Sequence, residues 1–142
     1  MKTFKIITEK SNYLHKSSWE ELFVITEYWQ SDILYFKNEI HFLQGIIVKY
    51  FPQLLKHKSI ISLNPLDEHF IHMLKTAEEL TQGFEKHRKH IEELIDNPFA
   101  YDEDKFRKEH EILEHKFAAF VLEFQEEKEQ IYSVIKKIRF NK

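Results

Sequence analysis

Residues 84–116 read FEKHRKHIEELIDNPFAYDEDKFRKEHEILEHK, and they mark the place where a helical chain turns back on itself. Asn97-Pro98 should end one helix, because the residue before a proline disfavours helical backbone. The acidic run Asp102–Asp104 should open the next helix, because carboxylates stabilise the positive end of the helix dipole. The stretch also holds four of the nine histidines of the chain. It therefore predicts two helices joined by a short loop, with histidines on both sides of the turn.

Apolar residues on both sides of this turn, and again upstream of it, recur at alternating spacings of three and four, the pattern of helices packed by heptads. Ser18 and Glu21 form a capping-box pattern at the start of the first helix. Asn64-Pro65 suits the start of the second helix, with an N-cap followed by proline at the first helical position. Pro52 should kink or interrupt the end of the first helix. These signals predict three long helices, at about 18–57, 65–96 and 102–140.

The fold class predicted from these helices is all-α. Short joining loops place successive helices antiparallel, which gives an up-down-up bundle of three helices. Residues 18–142 form the helical-bundle domain and residues 1–17 an N-terminal extension, too short for a matching fourth helix. Self-association would complete the bundle into a larger helical assembly.

Composition excludes several classes of protein. The chain has 142 residues, a net charge of −3, only two glycines and no cysteine. Lysines alternate with glutamates, so there is no basic stripe for nucleic acid. No apolar run approaches the roughly 18 residues of a membrane helix. The start of the sequence has no continuous apolar segment, so we do not expect a secretory signal there. The absence of cysteine excludes disulfides and thiolate zinc sites. We expect a cytoplasmic protein that binds neither nucleic acid nor membrane.

The first helix carries a second apolar stripe beside its packing seam. Tyr28, Tyr35 and Phe42 share one heptad position, and a stripe this wide requires a contact beyond the two neighbouring helices. Three partners remain open at this point. The N-terminal segment folds back over the stripe, a second copy packs on it, or it accepts another protein's helix or an apolar ligand.

Four polar residues lie within the seams, the rows of apolar heptad residues through which the helices pack: Thr26, Glu127 and, in the quoted stretch, His87 and His110. Folding the last two helices about the loop near Phe99 places His87 and His110 in one layer of the bundle. The same operation about the first loop, near Ile60, brings Asp32 to that height. His90 and Glu114 lie one turn from His87 and His110 on the same helix faces. Glu127, another seam residue, should pair with His72, Lys49 or Tyr50.

The convergence of these side chains leaves three interpretations open. In the first, it is a buried polar layer that specifies how the helices align, with the imidazoles bonded to Asp32 or Glu114. In the second, it is a metal site for zinc or iron. The metal ligands would be Asp32, His87, His90, His110 and Glu114.

Imidazole and carboxylate groups on facing helices resemble the sites of hemerythrin-like and ferritin-like proteins, in architecture only. His110-x-x-x-Glu114 matches one hemerythrin-like pattern, while the other patterns of those families are missing, so oxygen binding and ferroxidase activity are not implied. Catalysis by a His–Glu pair is the third interpretation, but no nucleophile, oxyanion donor or phosphate loop accompanies it. The sequence does not point to an enzyme.

A looser resemblance involves most of the chain. The pattern Trp29-x3-Ile33-x2-Phe36-x2-Glu39-Ile40-x-Phe42-Leu43, followed by Glu68-His69-Phe70, is similar to a group of uncharacterised bacterial helical-bundle proteins with no assigned activity. The function expected from all these features is protein–protein contact through the first helix. The partner would be a second copy, as a homodimer, or another helical protein, and metal binding at the histidines is the alternative.

Overall fold

The structure, a computed structural model, describes residues 17–56 and 63–140, and over these residues the fold is all-α. Its helices are α1 (Trp19–Lys49), α2 (Phe51–Lys56), α3 (Leu63–Asp96) and α4 (Glu103–Phe140). None of them is long and apolar enough to cross a membrane. The predicted N-terminal extension lies outside the described residues, apart from Ser17.

Helix α1 begins at the predicted capping box. The Ser18 hydroxyl accepts from the Glu21 amide at 3.1 Å, and the Glu21 carboxylate accepts from the Ser18 amide at 3.2 Å. Two backbone amides at the start of the helix, where no carbonyl of the helix can accept from them, are thereby hydrogen-bonded. The start of the first helix is confirmed.

The first predicted helix, 18–57, is divided in the structure. Helix α1 ends at Lys49, Tyr50 forms a turn whose amide bonds back to the Ile46 carbonyl at 3.0 Å, and α2 follows as a separate short helix. Pro52 explains the break, because it has no amide to donate to the carbonyl four residues earlier. The interruption expected at Pro52 is confirmed, and the single long helix is wrong.

The second and third predicted helices need smaller corrections. Helix α3 starts at Leu63, so Asn64 and Pro65 lie in its first turn and Asn64 is not the residue before the helix. Helix α3 ends at Asp96 as predicted. The amides of Phe99 and Ala100 bond back to the side chain and carbonyl of Asn97, which closes the turn. Asp102 then caps α4 by accepting from the Lys105 amide at 3.0 Å.

Paired side chains give the order in which the helices meet. Gln30 and Lys37 of α1 reach Glu85 and Glu78 of α3, each at 2.8 Å, so residue numbers rise on one helix as they fall on the other. Between α4 and α1, residue numbers rise together: the Arg107 guanidinium lies 4.5 Å from the Trp19 ring, and Lys128 lies 3.4 Å from Glu39.

The core consists of two apolar clusters with a polar layer between them. The small cluster, near the start of α1, contains Leu22, Ile91, Leu94 and Phe106. The large cluster runs along the rest of the bundle and includes Trp29, Phe84 and Phe117. On each helix the residues between the two clusters include a buried polar side chain: Thr26 on α1, His87 on α3, and His110 and Glu114 on α4.

Gly45, an exposed residue within α1, offers a test of helix stability. A Cβ built there meets nothing within 4 Å. Glycine in a helix interior costs about 0.5–1 kcal/mol relative to alanine, so Gly45→Ala should raise the unfolding free energy by about that amount. Urea denaturation measures it.

Gly83→Ala is the matched comparison for this substitution. Its Cβ would lie 3.3 Å from Leu113 Cδ2, so the neighbouring side chain must shift and the gain should be smaller. Equal gains at both glycines would contradict the packing described here.

Candidate functional site

The two seam histidines form one hydrogen-bonded pair at the centre of the polar layer. His87 Nε2 lies 2.8 Å from His110 Nδ1, and the two side chains are 3% and 0% exposed. A bond of this kind needs one N–H between the two nitrogens, one ring donating and the other accepting. The predicted layer is confirmed for these two residues.

Aromatic rings hold both imidazoles in place. His87 stacks on Phe106 with ring centroids 4.4 Å apart and planes at 6°. His110 stacks on Trp29 of α1 at 4.6 Å and 28°. The pair therefore connects the two apolar clusters, because Phe106 belongs to the small cluster and Trp29 to the large one. All three long helices contribute to this arrangement.

The surroundings of the pair favour neutral imidazoles. Burial lowers the pKa of His87 to about 4, with a smaller contribution from His90. Burial lowers the pKa of His110 to about 2, and the nearby His87 and Arg107 add to the effect. Geometry agrees with this direction, since protonating the acceptor nitrogen would set two N–H groups against each other. The site is built to keep its histidines uncharged.

The other predicted site residues lie around the pair in different ways. Glu114 is 1% exposed, one turn beyond His110 on α4. Asp32 is half-buried on α1, one turn beyond Trp29. His90 stacks on Tyr101 at 5.5 Å, and the Tyr101 hydroxyl donates to Glu109 at 2.8 Å. Of the five predicted ligands, the structure thus brings His87 and His110 into direct contact and sets His90 against a different ring.

A pocket opens on the α3 and α4 side of the layer. Its volume is about 280 Å³, and its lining includes His87, His90, Tyr101 and Glu109. The Glu109 hydrogen bond raises the pKa of Tyr101. Sequence reasoning did not identify Tyr101, because its position in the loop gives no periodic signal.

The two bonded nitrogens of the pair are not spaced as two ligands of one metal ion. Two nitrogens that each bind a metal at about 2.0–2.1 Å in tetrahedral geometry lie about 3.3 Å apart with the metal between them. His87 Nε2 and His110 Nδ1 are closer than that and bonded to each other. Among residues 17–56 and 63–140, no three His, Asp or Glu side chains are grouped so as to hold a metal ion. Metal binding by these residues stays a prediction without support from the described part of the chain.

Glu127, the remaining polar seam residue, pairs with a different histidine from those predicted. Its carboxylate lies 3.4 Å from His69 Nε2, and Glu123 lies 3.5 Å from the same nitrogen. His72 reaches only Glu123, at 3.8 Å. Burial raises the pKa of Glu127, Glu123 adds to the rise, and His69 opposes it. The predicted partners of Glu127 were wrong by about one helical turn.

The aromatic stripe predicted on α1 lies at the surface of the described residues. Tyr28, Tyr35 and Phe42 are 48%, 46% and 56% exposed. Val24, also about half exposed, extends the same side of the helix toward its start. The buried residues of α1, such as Trp29, Ile33 and Phe36, occupy a different side, about 100–160° around the helix from Tyr35. Helix α1 therefore presents one side to the core and a second apolar side outward.

Comparison with protein-family models, with curated proteins and with solved structures found no match to this chain.

Stability should fall as the pH drops below neutrality. The unfolded chain protonates its histidines near pH 6.5, whereas folded His87 and His110 resist protonation. Their contribution is therefore fully present above about pH 7 and is lost as the pH falls from 6.5 toward 4, by roughly 2 kcal/mol per histidine between pH 7 and pH 5. Urea denaturation across this range measures the slope.

Two exposed histidines supply the control for the pH experiment. His41→Gln and His115→Gln remove the same number of histidines from outer faces, so the slope should stay as in the unaltered chain. The double variant His87→Leu/His110→Leu should flatten the slope. An unchanged slope in that double variant would contradict the proposed origin of the acid sensitivity.

Substitutions of the pair should be non-additive. His87→Leu leaves His110 Nδ1 buried without its partner, and His110→Leu does the same to His87 Nε2, at a cost of about 1–3 kcal/mol each. Removing both polar groups together should cost less than the sum of the two single changes, by about 1 kcal/mol or more. A double-mutant cycle in urea at pH 7.5 measures the coupling. Strict additivity would show that the pair does not act as a unit.

Proposed function

We propose that the protein acts through protein–protein contacts made by the aromatic stripe of α1 (Val24, Tyr28, Tyr35 and Phe42), with a second copy of the chain as its partner. The observation that carries the proposal is the exposure of three aromatic rings along one side of a single helix. Aromatic residues are enriched at protein interfaces, where they bury large areas at little entropic cost.

The histidine layer supports an interaction protein over an enzyme. A general acid or base must reach the proton that it transfers, either directly or through one water. His110 has no exposed surface, and the two ring nitrogens nearest each other are already bonded. This arrangement is suited to holding α3 and α4 in one alignment. Helix α1 packs against it through Trp29, with the aromatic stripe exposed.

The architecture proposed with this function is an up-down-up bundle of the three long helices, completed by self-association. Its support is the order of the cross-helix pairs. Gln30 and Lys37 of α1 pair with Glu85 and Glu78 of α3, so residue numbers rise on α1 as they fall on α3, as expected for antiparallel helices. Arg107 and Lys128 of α4 contact Trp19 and Glu39 of α1, so residue numbers rise together on these two helices, as expected for parallel ones.

Mass in solution tests the self-association. At micromolar to millimolar protein, sedimentation equilibrium should give twice the 17.4 kDa of the chain. Tyr35→Glu/Phe42→Glu should return the mass to that of one chain, because burying two unpaired carboxylates in an apolar contact is unfavourable. Circular dichroism should show unchanged helix content, since both side chains lie outside the core.

Exposed apolar residues on other helices provide the matched control. The double variant Ile71→Glu/Leu122→Glu adds the same two charges at surface positions of α3 and α4 away from the stripe, so it should keep the mass of two chains. A single-chain mass for the unaltered protein at all concentrations would overturn self-association. In that case, deletion of residues 1–16 tests whether the N-terminal segment covers the stripe. If the deletion variant also has the mass of one chain, the remaining partner is another helical protein.

A further inference from the structure

The outward side of α1 has a symmetric arrangement of residues. Tyr35 lies at its centre, with Tyr28 seven residues before it and Phe42 seven residues after it. Farther out the spacing continues with four residues and then three in both directions. The full set is Glu21, Val24, Tyr28, Tyr35, Phe42, Ile46 and Lys49.

These residues share one side of the helix. At about 100° per residue, a step of seven residues returns to within about 20° of the starting direction, and steps of three and four deviate in opposite directions. All seven therefore lie within about 40° of the direction of Tyr35. Glu21, Val24, Tyr28, Tyr35, Phe42 and Lys49 are exposed, whereas Ile46 is half-buried and also packs against the large cluster.

We propose that two copies pack through α1 in antiparallel orientation about a two-fold axis at Tyr35, an inference that rests on the self-association proposed above. In this alignment Tyr35 meets its own counterpart, and Tyr28 meets Phe42 of the other copy. Val24 meets Ile46, and Glu21 meets Lys49. Every apolar residue of the stripe then faces an apolar residue, as an isologous contact requires.

Charge distinguishes this alignment from a parallel one. The first part of α1 carries the exposed acids Glu20, Glu21 and Glu27, whereas Lys49 lies at its end. Parallel packing would set acid against acid and Lys49 against Lys49. Antiparallel packing sets the acidic end of each copy against the basic end of the other and also opposes the two helix dipoles.

The size of the contact predicts a reversible dimer. From Glu21 to Lys49 the side is about 42 Å long, and a helix is about 10–12 Å wide, so the two copies together bury on the order of 1,000 Å². This area lies at the lower end for specific interfaces. Dissociation on dilution is therefore expected.

The absence of cysteine from the chain makes disulfide trapping a clean test. In the full-length protein, Tyr35→Cys should cross-link to its counterpart under mild oxidation, because two Cα atoms must approach within about 7 Å for a disulfide. Tyr28→Cys alone should not cross-link, because its counterpart lies about 21 Å away along the axis. Mixing Tyr28→Cys with Phe42→Cys should produce the mixed dimer, at least roughly tenfold above either variant alone.

A second pair guards against loss of the dimer when an aromatic ring is removed. Ser31 and Glu39 lie at equal distances on either side of Tyr35, so a mixture of Ser31→Cys and Glu39→Cys keeps the whole stripe and should also cross-link. Cross-linking of both mixtures supports the antiparallel arrangement. Self-linking of Tyr28→Cys as strongly as Tyr35→Cys would overturn it in favour of a parallel dimer.

The outcomes separate this inference from the proposed function. A mass of two chains that falls to one in Tyr35→Glu/Phe42→Glu, without any of the expected cross-links, would overturn the two-fold alignment and leave the stripe as the contact. A single-chain mass for the unaltered protein would overturn both self-association and the alignment. Association that appears only after deletion of residues 1–16 would assign the stripe to the N-terminal segment in the full chain and overturn the dimer there.

Discussion

The hydrogen bond between His87 and His110 is the constraint on which the alignment of α3 and α4 depends. Apolar heptads alone tolerate sliding by one repeat, because leucine, isoleucine and phenylalanine can exchange places at modest cost. A buried imidazole cannot slide in this way, since any shift would leave its nitrogen facing hydrocarbon at a cost of about 1–3 kcal/mol. The pair is bonded at 2.8 Å and clamped by Phe106 and Trp29, so one alignment satisfies it. The net stabilisation from such a bond is small, but an alignment that breaks it carries this penalty, and the difference favours the observed alignment of α3 and α4.

The turn at Asn97 made that alignment predictable, and the first connection allowed a coarser estimate. Between α3 and α4 the loop is short and both helix ends carry local signals, so folding about Phe99 placed His87 against His110 correctly. Between α1 and α3 the same operation about Ile60 placed Asp32 at the height of the pair. In the structure Trp29 stacks on His110 and Gln30 bonds to Glu85, and Asp32 lies one turn beyond Trp29. The estimated height and these contacts agree to within about one turn.

Helix boundaries and seam positions followed from short-range rules, while side-chain partners did not. Ser18, Pro52 and Asn97 act on backbone within four residues, where capping and the missing proline amide decide the outcome. The partner of Glu127 depends on which turn of α3 faces α4, and there His69 contacts it and His72 does not. Tyr101 contacts His90 through the path of a loop, which carries no periodic signal. Contacts between helices require the alignment first, and an alignment known to within a turn cannot choose between histidines one turn apart.

The two sides of α1 depend on different parts of the molecule. The order of Tyr28, Tyr35 and Phe42 along the stripe is set by the helix itself, because seven-residue spacing holds them on one side whatever α1 packs against. The outward direction of that side is set by the core, because Trp29 and Phe36 must face α3 and α4 to be buried. A change in the histidine layer should therefore act on self-association through the stability of the bundle, leaving the spacing of the interface intact. A change in the stripe should act on association while leaving the core in place. The two roles meet at adjacent residues, because Trp29 stacks on His110 inside the bundle whereas Tyr28 beside it is exposed.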